Sequence, residues 1–254
     1  MNSYFKMNLG KGVGNLRPPT VTGGRKRELH LFEREASIRF RKLDFLNLAF
    51  SHRSFANESK EKFDNNERLE FLGDSVLGLV VSEYLYGSLP QKHEGDLARI
   101  KSFVVSEETL ADIARRLKID NFILIGKGEE YSGGRKKKAI LADCMEAVLG
   151  AYFIDSGFQS ARKFIQKIII PEINLVIENK HKKDYKTLLQ EYSQKKFKLY
   201  PKYILTKKSG PDHDRTFWIE VVIKDKHYGP GSGKNKKEAE QKAASIAYNY
   251  LING

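Results

Sequence analysis

From Leu29 to Ile177 the apolar residues recur every three or four positions, the helical period. Leu31, Phe32, Ile38 and Phe40 predict a first helix. Phe45, Leu46, Leu48, Ala49 and Phe50 predict a second, ended by His52-Arg53-Ser54 and followed by a polar loop over Ala56–Asn65. A long helix is expected from about Asn66 to Tyr86, stopping before Pro90. Another follows Glu94-Gly95-Asp96, with Leu97, Ile100, Phe103 and Val104 inward. Ser106 reads as the cap of the next, lined by Leu110, Ile113, Ala114 and Leu117. Phe122–Gly134 should end in a glycine-rich turn. Helices at Ala139–Phe153 and Ser160–Ile177 complete the set, the last with a kink at Pro171. Strand-period alternation is absent, so residues 28–180 are expected to form an all-α domain.

After the polar stretch Glu178–Asp184, with a linker placed at 181–183, the period changes. A short helix is predicted at Tyr185–Ser193. Strands are predicted at Tyr203–Thr206, at Thr216–Lys224 with Phe217, Ile219, Val221 and Ile223 on one side, and at Lys226–Tyr228. An alanine-rich helix over Lys234–Leu251 should turn Ala239, Ala243, Ile246, Ala247 and Tyr250 inward. Residues 184–253 therefore read as a small α+β domain of order α-β-β-β-α. Residues 1–27 show no period and are expected to be a disordered basic tail, a solvated leader in its plainest role.

Charge sharpens this division. The net charge is +13, but residues 1–27 carry +6, residues 184–254 carry +6 and the middle only +1. The ends look built for a polyanion, nucleic acid before anionic membrane. The single cysteine, Cys144, excludes an internal disulfide and fits a reducing compartment. Residues 1–27 lack the apolar run of a secretion signal, and no stretch approaches the roughly 18 apolar residues of a membrane span. The expected location is cytoplasmic.

The chemistry concentrates in Asn65–Leu77 (NNERLEFLGDSVL). Glu67, Glu70 and Asp74 fall within roughly a 60° arc of a helix, with Leu69, Leu72, Val76, Leu79 and Val80 on the other side. Like charges about 4 Å apart repel by roughly 4 kcal/mol at an effective dielectric near 20, so such a face calls for a cation or shared protons. Asp143 and Glu146 form a second acidic pair on another apolar helix. Acids at this spacing usually mark only a solvated face, but both helices are too apolar for the surface. Glu70, Asp143 and Glu146, with Asp74 nearby, offer oxygen ligands suited to Mg²⁺ and not to zinc. An acidic metal site on a basic chain points to metal-assisted phosphodiester hydrolysis.

Asn66–Val76 (NERLEFLGDSV) resembles the signature of the ribonuclease III family. The resemblance extends to His52-Arg53-Ser54, Glu94-Gly95-Asp96, Gly126–Gly134 (GKGEEYSGG) and Leu141–Gly150 (LADCMEAVLG), covering about residues 29–180. It implies that Glu70, Asp143 and Glu146 hold the metal, that Asp74 and Glu146 are catalytic, and that Glu67 and Glu94 border the site and position RNA. It makes Phe71 the knob of a homodimer interface, where sequence alone allows an ordinary core residue. Cys144 reads as a small core residue.

Residues 184–251 resemble a double-stranded RNA-binding domain. Lys234, Lys236 and Lys237 stand at a helix N-terminus that favours phosphate. The resemblance implies that Thr187, Gln190 and Glu191 meet one minor groove and that His213 meets the next. Gly229–Lys234 (GPGSGK) is no nucleotide loop, because Tyr228 stands where the first glycine is required and Asn235 replaces Ser/Thr.

The implied whole is a Mg²⁺-dependent endoribonuclease, with Mn²⁺ able to substitute, acting on double-stranded RNA as a homodimer. Its products would carry 5′-phosphate and 3′-hydroxyl ends with two-nucleotide 3′ overhangs. The two-domain layout resembles the bacterial form, which matures rRNA precursors and some mRNA and tRNA precursors. A non-catalytic RNA binder would lack acids that are all present here. A membrane-surface protein would need an amphipathic helix with a basic polar face.

Overall fold

The computed structural model describes residues 16–178, 185–211 and 215–253. Two separate hydrophobic cores divide them. The first unit is helical: α1 (Gly23–Ala36), α2 (Leu43–Ala49), α3 (Arg53–Glu58), α4 (Glu67–Ser88), α5 (Glu94–Val104), α6 (Glu107–Arg116), α7 (Lys127–Tyr131), α8 (Lys138–Ser156) and α9 (Phe158–Ile177). One isolated parallel bridge, Ser51 to Leu124, is its extended pairing among the described residues.

α8 is the hub. Leu141, Cys144, Met145, Ala147, Val148, Leu149 and Ala151 are almost wholly buried, so the helix is apolar nearly all round. It packs on α2, α4, α6 and α9. Its contact with α4 is backbone to backbone. A Cβ on Gly73 would run into the Glu146 carbonyl oxygen, and one on Gly150 into that of Leu69. Only glycine allows this approach.

Three sequence expectations are corrected. The disordered tail proposed for 1–27 fails over residues 16–27; residues 1–15 lie outside the described residues. Leu16 and Val21 pack on the core. Arg17 and Asp64 bond reciprocally, Arg17 N donating to the Asp64 carboxylate and Asp64 N to the Arg17 carbonyl, both at 2.8 Å. Buried Arg25 donates to Asn47 Oδ1 and to the Phe122 carbonyl, each at 2.7 Å. A basic composition concealed these partners, which lie far along the chain.

The loop expected over Ala56–Asn65 begins as helix α3. Its stabilising contacts are also distant: Glu58 accepts the Lys127 and Gly128 N–H groups at 2.7 and 3.1 Å, and Ser54 Oγ accepts that of Gly126 at 2.8 Å. These carboxylate bonds hold the first turn of α7, inside the expected glycine-rich turn.

The second unit is α10 (Tyr185–Phe197), β1 (Lys202–Ser209), β2 (Thr216–Ile223), β3 (Lys226–Gly233) and α11 (Lys236–Asn253), with an antiparallel sheet in the order β1-β2-β3. Ile219, Val221 and Ile223 face its core, together with Ala239, Ala243, Ala244 and Ala247 of α11. Ile246 and Tyr250, expected inside, are 45% and 66% exposed. A Cβ on Gly231 would meet the backbone of Ala239 and Ala243, so the α11 backbone lies against β3. Alanine fits that stripe and larger side chains are displaced to its edge.

Candidate active site

The four central acids come from α4 and α8, and the glycine contacts explain why they meet. Gly73 lies between Glu70 and Asp74 and touches the backbone of Glu146. Burial raises the Glu70 carboxyl above the usual carboxylate range, and Asp143, Glu67 and Asp74 add repulsion. Asp143 is raised too, by burial and then by Glu107 of α6. Glu146 is pushed up to about 8, by burial first and then by Asp74, Glu70 and Asp143. A positive charge among them would reverse each shift.

Among the described residues, no three His, Cys, Asp or Glu side chains gather closely enough to hold an ion as they stand. The donor set nonetheless fits a hard divalent cation: it is all oxygen, half-buried and mutually repelling.

Glu67, expected to border the site, is held at the start of α4. Asn65 Oδ1 accepts its N–H and Asn65 Nδ2 donates to its carboxylate, both at 3.1 Å, and Arg53 Nη1 lies 3.7 Å from it. Glu94 opens α5 and is exposed.

Asn66 fixes the start of α4. It is 3% exposed; its N–H donates to the Ser51 carbonyl at 2.9 Å and its Nδ2 to the Ala49 carbonyl at 3.2 Å. Its own carbonyl accepts the Leu69 and Glu70 N–H groups. Cys144 of α8 donates to the same Ala49 carbonyl, Sγ to O 3.5 Å. One carbonyl at the end of α2 thus anchors both acid-bearing helices. Cys144 is wholly buried, and burial raises its thiol pKa, as expected of a core residue rather than a reactive thiol.

Sequence reading missed Arg53 and Glu107. Arg53 draws Glu70 and Asp143 toward the charged form, while Glu107 opposes it for Asp143. Arg53 stood within the quoted His52-Arg53-Ser54 motif; Glu107 carried no signal beyond being the first acid of a helix. His52 Nδ1 accepts the Ser54 N–H at 3.3 Å and lies 2.8 Å from Ser54 Oγ, and burial lowers its pKa.

Phe71 is 78% exposed, which excludes the core alternative within a single chain. Leu79 and Tyr86, 58% and 81% exposed, share its side of α4 within about 80°.

In the second unit, Thr187, Gln190 and Glu191 lie exposed on one face of α10, and Lys234, Lys236 and Lys237 are exposed at the start of α11. Asn235 Oδ1 accepts the Glu238 N–H at 2.9 Å, and Glu238 accepts that of Lys234 at 3.0 Å, a reciprocal cap that fixes this end. His213 lies outside the described residues. Among the described residues no helix is long and apolar enough to cross a membrane.

Residues 43–173 match the family model described as ribonuclease-III-like, and residues 185–251 match that of the double-stranded RNA binding motif. The chain is 58% identical over 227 residues to Ribonuclease 3 of Treponema denticola, covering 89% of this chain and 92% of that protein. It is 44% identical to Ribonuclease 3 of Treponema pallidum, covering 96% of each. Among solved structures it resembles the nuclease domain of ribonuclease III from Campylobacter jejuni, with TM-score 0.52 and 39% identity over 56% of this chain and 95% of that one; the description of that structure concerns flexibility in a region involved in dimer formation.

Proposed function

This chain belongs to the ribonuclease III family, and from that premise we propose that it is an endoribonuclease that hydrolyses double-stranded RNA with the help of a divalent cation. The observation that carries the reading is the α4–α8 contact. It puts half-buried Glu70, Asp143 and Glu146 and exposed Asp74 on two helices in close contact, where their charges repel, and this supports the reading.

In this reading Glu70, Asp143 and Glu146 hold Mg²⁺, with Mn²⁺ able to substitute, and Asp74 stands beside them. Bound Mg²⁺ supplies a water of lowered pKa and stabilises charge developing on the phosphate. The remaining groups act on geometry. Asn66 holds α4 so that Glu70 and Asp74 keep their places. Asn65 orients Glu67 at the rim. Arg53 keeps Glu70 and Asp143 toward the charged, ligating form. Thr187, Gln190, Glu191, Lys234, Lys236 and Lys237, with His213, bind the A-form duplex.

The exposed stripe of Phe71, Leu79 and Tyr86 is the homodimer surface, giving two sites for two strands. The products carry 5′-phosphates and 3′-hydroxyls with two-nucleotide 3′ overhangs. The substrates are cytoplasmic rRNA precursors and structured mRNA and tRNA precursors.

The test is incubation of a long perfect RNA duplex with the protein, with Mg²⁺ or with chelator, followed by sizing and end-sequencing. Short duplexes with 3′ overhangs, formed only with Mg²⁺, are expected. A bound but uncut duplex would overturn the catalytic reading.

A further inference from the structure

A groove of about 660 Å³ lies outside the acidic site. Arg27, His30, Leu31, Arg34 and the buried Glu33 of α1 line it, and Ile38 and Arg39 close it from the α1–α2 loop. We propose that this groove is a second phosphate-backbone site, which grips duplex RNA away from the point of cleavage; the inference rests on the double-stranded RNA reading above.

The charge argument comes first. Every acid on α1 is already committed. Glu28 pairs with Arg25 at 2.9 Å and Glu35 with Lys118 at 3.0 Å, while buried Glu33 is hydrogen-bonded to His30 Nδ1 at 2.7 Å and accepts the Phe40 N–H. Arg27, Arg34 and Arg39 are exposed, and among the described residues none makes an ion pair or hydrogen bond through its guanidinium. Three unneutralised guanidinium groups therefore surround one groove, and a guanidinium matches phosphate through paired donors.

The second observation is that the loop carrying Arg39 is built. Glu33 Oε1 accepts the Phe40 N–H at 2.6 Å. Asp155 accepts the N–H groups of Arg41 and Lys42 at 2.7 and 2.8 Å, and the Ser156 hydroxyl also donates to it. Two buried carboxylates thus fix three successive backbone N–H groups, and Arg39 projects from a held loop. A preorganised site loses less entropy on binding. Asp155 also sets the scale. It lies nine residues beyond Glu146 on α8, about 14 Å along the axis. None of the residues lining the groove belongs to the acidic set.

The experiment uses the full chain in chelator, so that RNA binds uncut. The affinity for a long perfect RNA duplex is measured against salt for the wild type and for Arg27→Gln/Arg34→Gln/Arg39→Gln. Three lost phosphate contacts should lower the slope of log affinity against log salt by about 2.7. The triple arginine-to-lysine variant should recover most of that slope, since it restores charge. With Mg²⁺, the cutting rate at saturating RNA should match the wild type. An unchanged slope in the glutamine variant overturns the proposal. So does an unchanged slope accompanied by lost binding of poly-glutamate, which would assign the groove to an acidic protein. So does arginine-dependent binding of pyrophosphate with no change in RNA slope, which would make it a small-anion site. A wild type that binds no duplex refutes the underlying RNA reading, and is told apart because both proteins then behave alike.

Discussion

Gly73→Ala tests the claim that helix contact, and not the acids alone, makes the site. A methyl carbon at residue 73 would lie 2.6 Å from the Glu146 carbonyl carbon, with its oxygen nearer still, where ordinary contact begins at 3.4 Å. The obstacle is backbone, so no rotamer change relieves it. The helices must part by much more than about 0.8 Å, because the nearer carbonyl oxygen, not the carbon, sets the limit. Overpacking of this kind costs about 1–3 kcal/mol, against which alanine returns roughly 1 kcal/mol of helix propensity. Net stability should therefore fall by up to about 2 kcal/mol, leaving a folded protein. Catalysis should suffer more, because a misplacement near 1 Å at reacting groups costs on the order of 10²-fold. The assay pairs thermal melting with single-turnover cleavage of a duplex at saturating protein, and duplex affinity is measured in chelator. The expected result is near-native affinity, a modestly lower melting temperature and a rate reduced on the order of 10²-fold. A variant that melts higher and cuts at the native rate would refute the contact.

Three other outcomes follow from the same geometry. Glu146 has its folded pKa raised to about 8, so between about pH 4.5 and 8 the folded state holds a proton that the unfolded state has released, and stability falls as pH rises through that window. Glu146→Gln should therefore raise the metal-free melting temperature at pH 8 and leave it unchanged below pH 4.5, while abolishing cleavage; equal melting at pH 8 would contradict the repulsion argument. Asn66→Ala leaves the Ala49 carbonyl without one of its two donors and should cost about 1–3 kcal/mol in a denaturant titration. Phe71→Ala should shift the sedimentation coefficient toward that of a single chain, and an unchanged dimer would remove α4 from the interface.

The acids were legible because chemistry and period coincided: Glu67, Glu70 and Asp74 share a helix face, and so do Asp143 and Glu146. The long helices were legible because α4 and α8 are apolar over many turns. What escaped was structure whose support lies far along the chain. α3 is six residues and polar, and its stability comes from Glu58 reaching residues 127 and 128. Arg25 looks like tail charge until Asn47 and Phe122 surround it. Gly73 and Gly150 stood in plain view inside apolar helices, where glycine costs stability and so signals a close approach. Ile246 and Tyr250 misled because the alanine stripe, rather than the larger apolar residues, meets the sheet.

The strap formed by residues 16–25 has a consequence for how the chain is made. Its residues are synthesised before its partners. Asn47 follows Arg25 by 22 residues and Phe122 by 97. The bond to Asn47 can form once residue 47 is made, but the bond to the Phe122 carbonyl needs nearly a hundred residues more. The strap's full set of bonds is complete only after residue 122 is available, so its last step is a non-local closure. An early segment of this chain thus depends on a late one for its last contact, and the full set of bonds to Arg25 requires both halves of the helical unit.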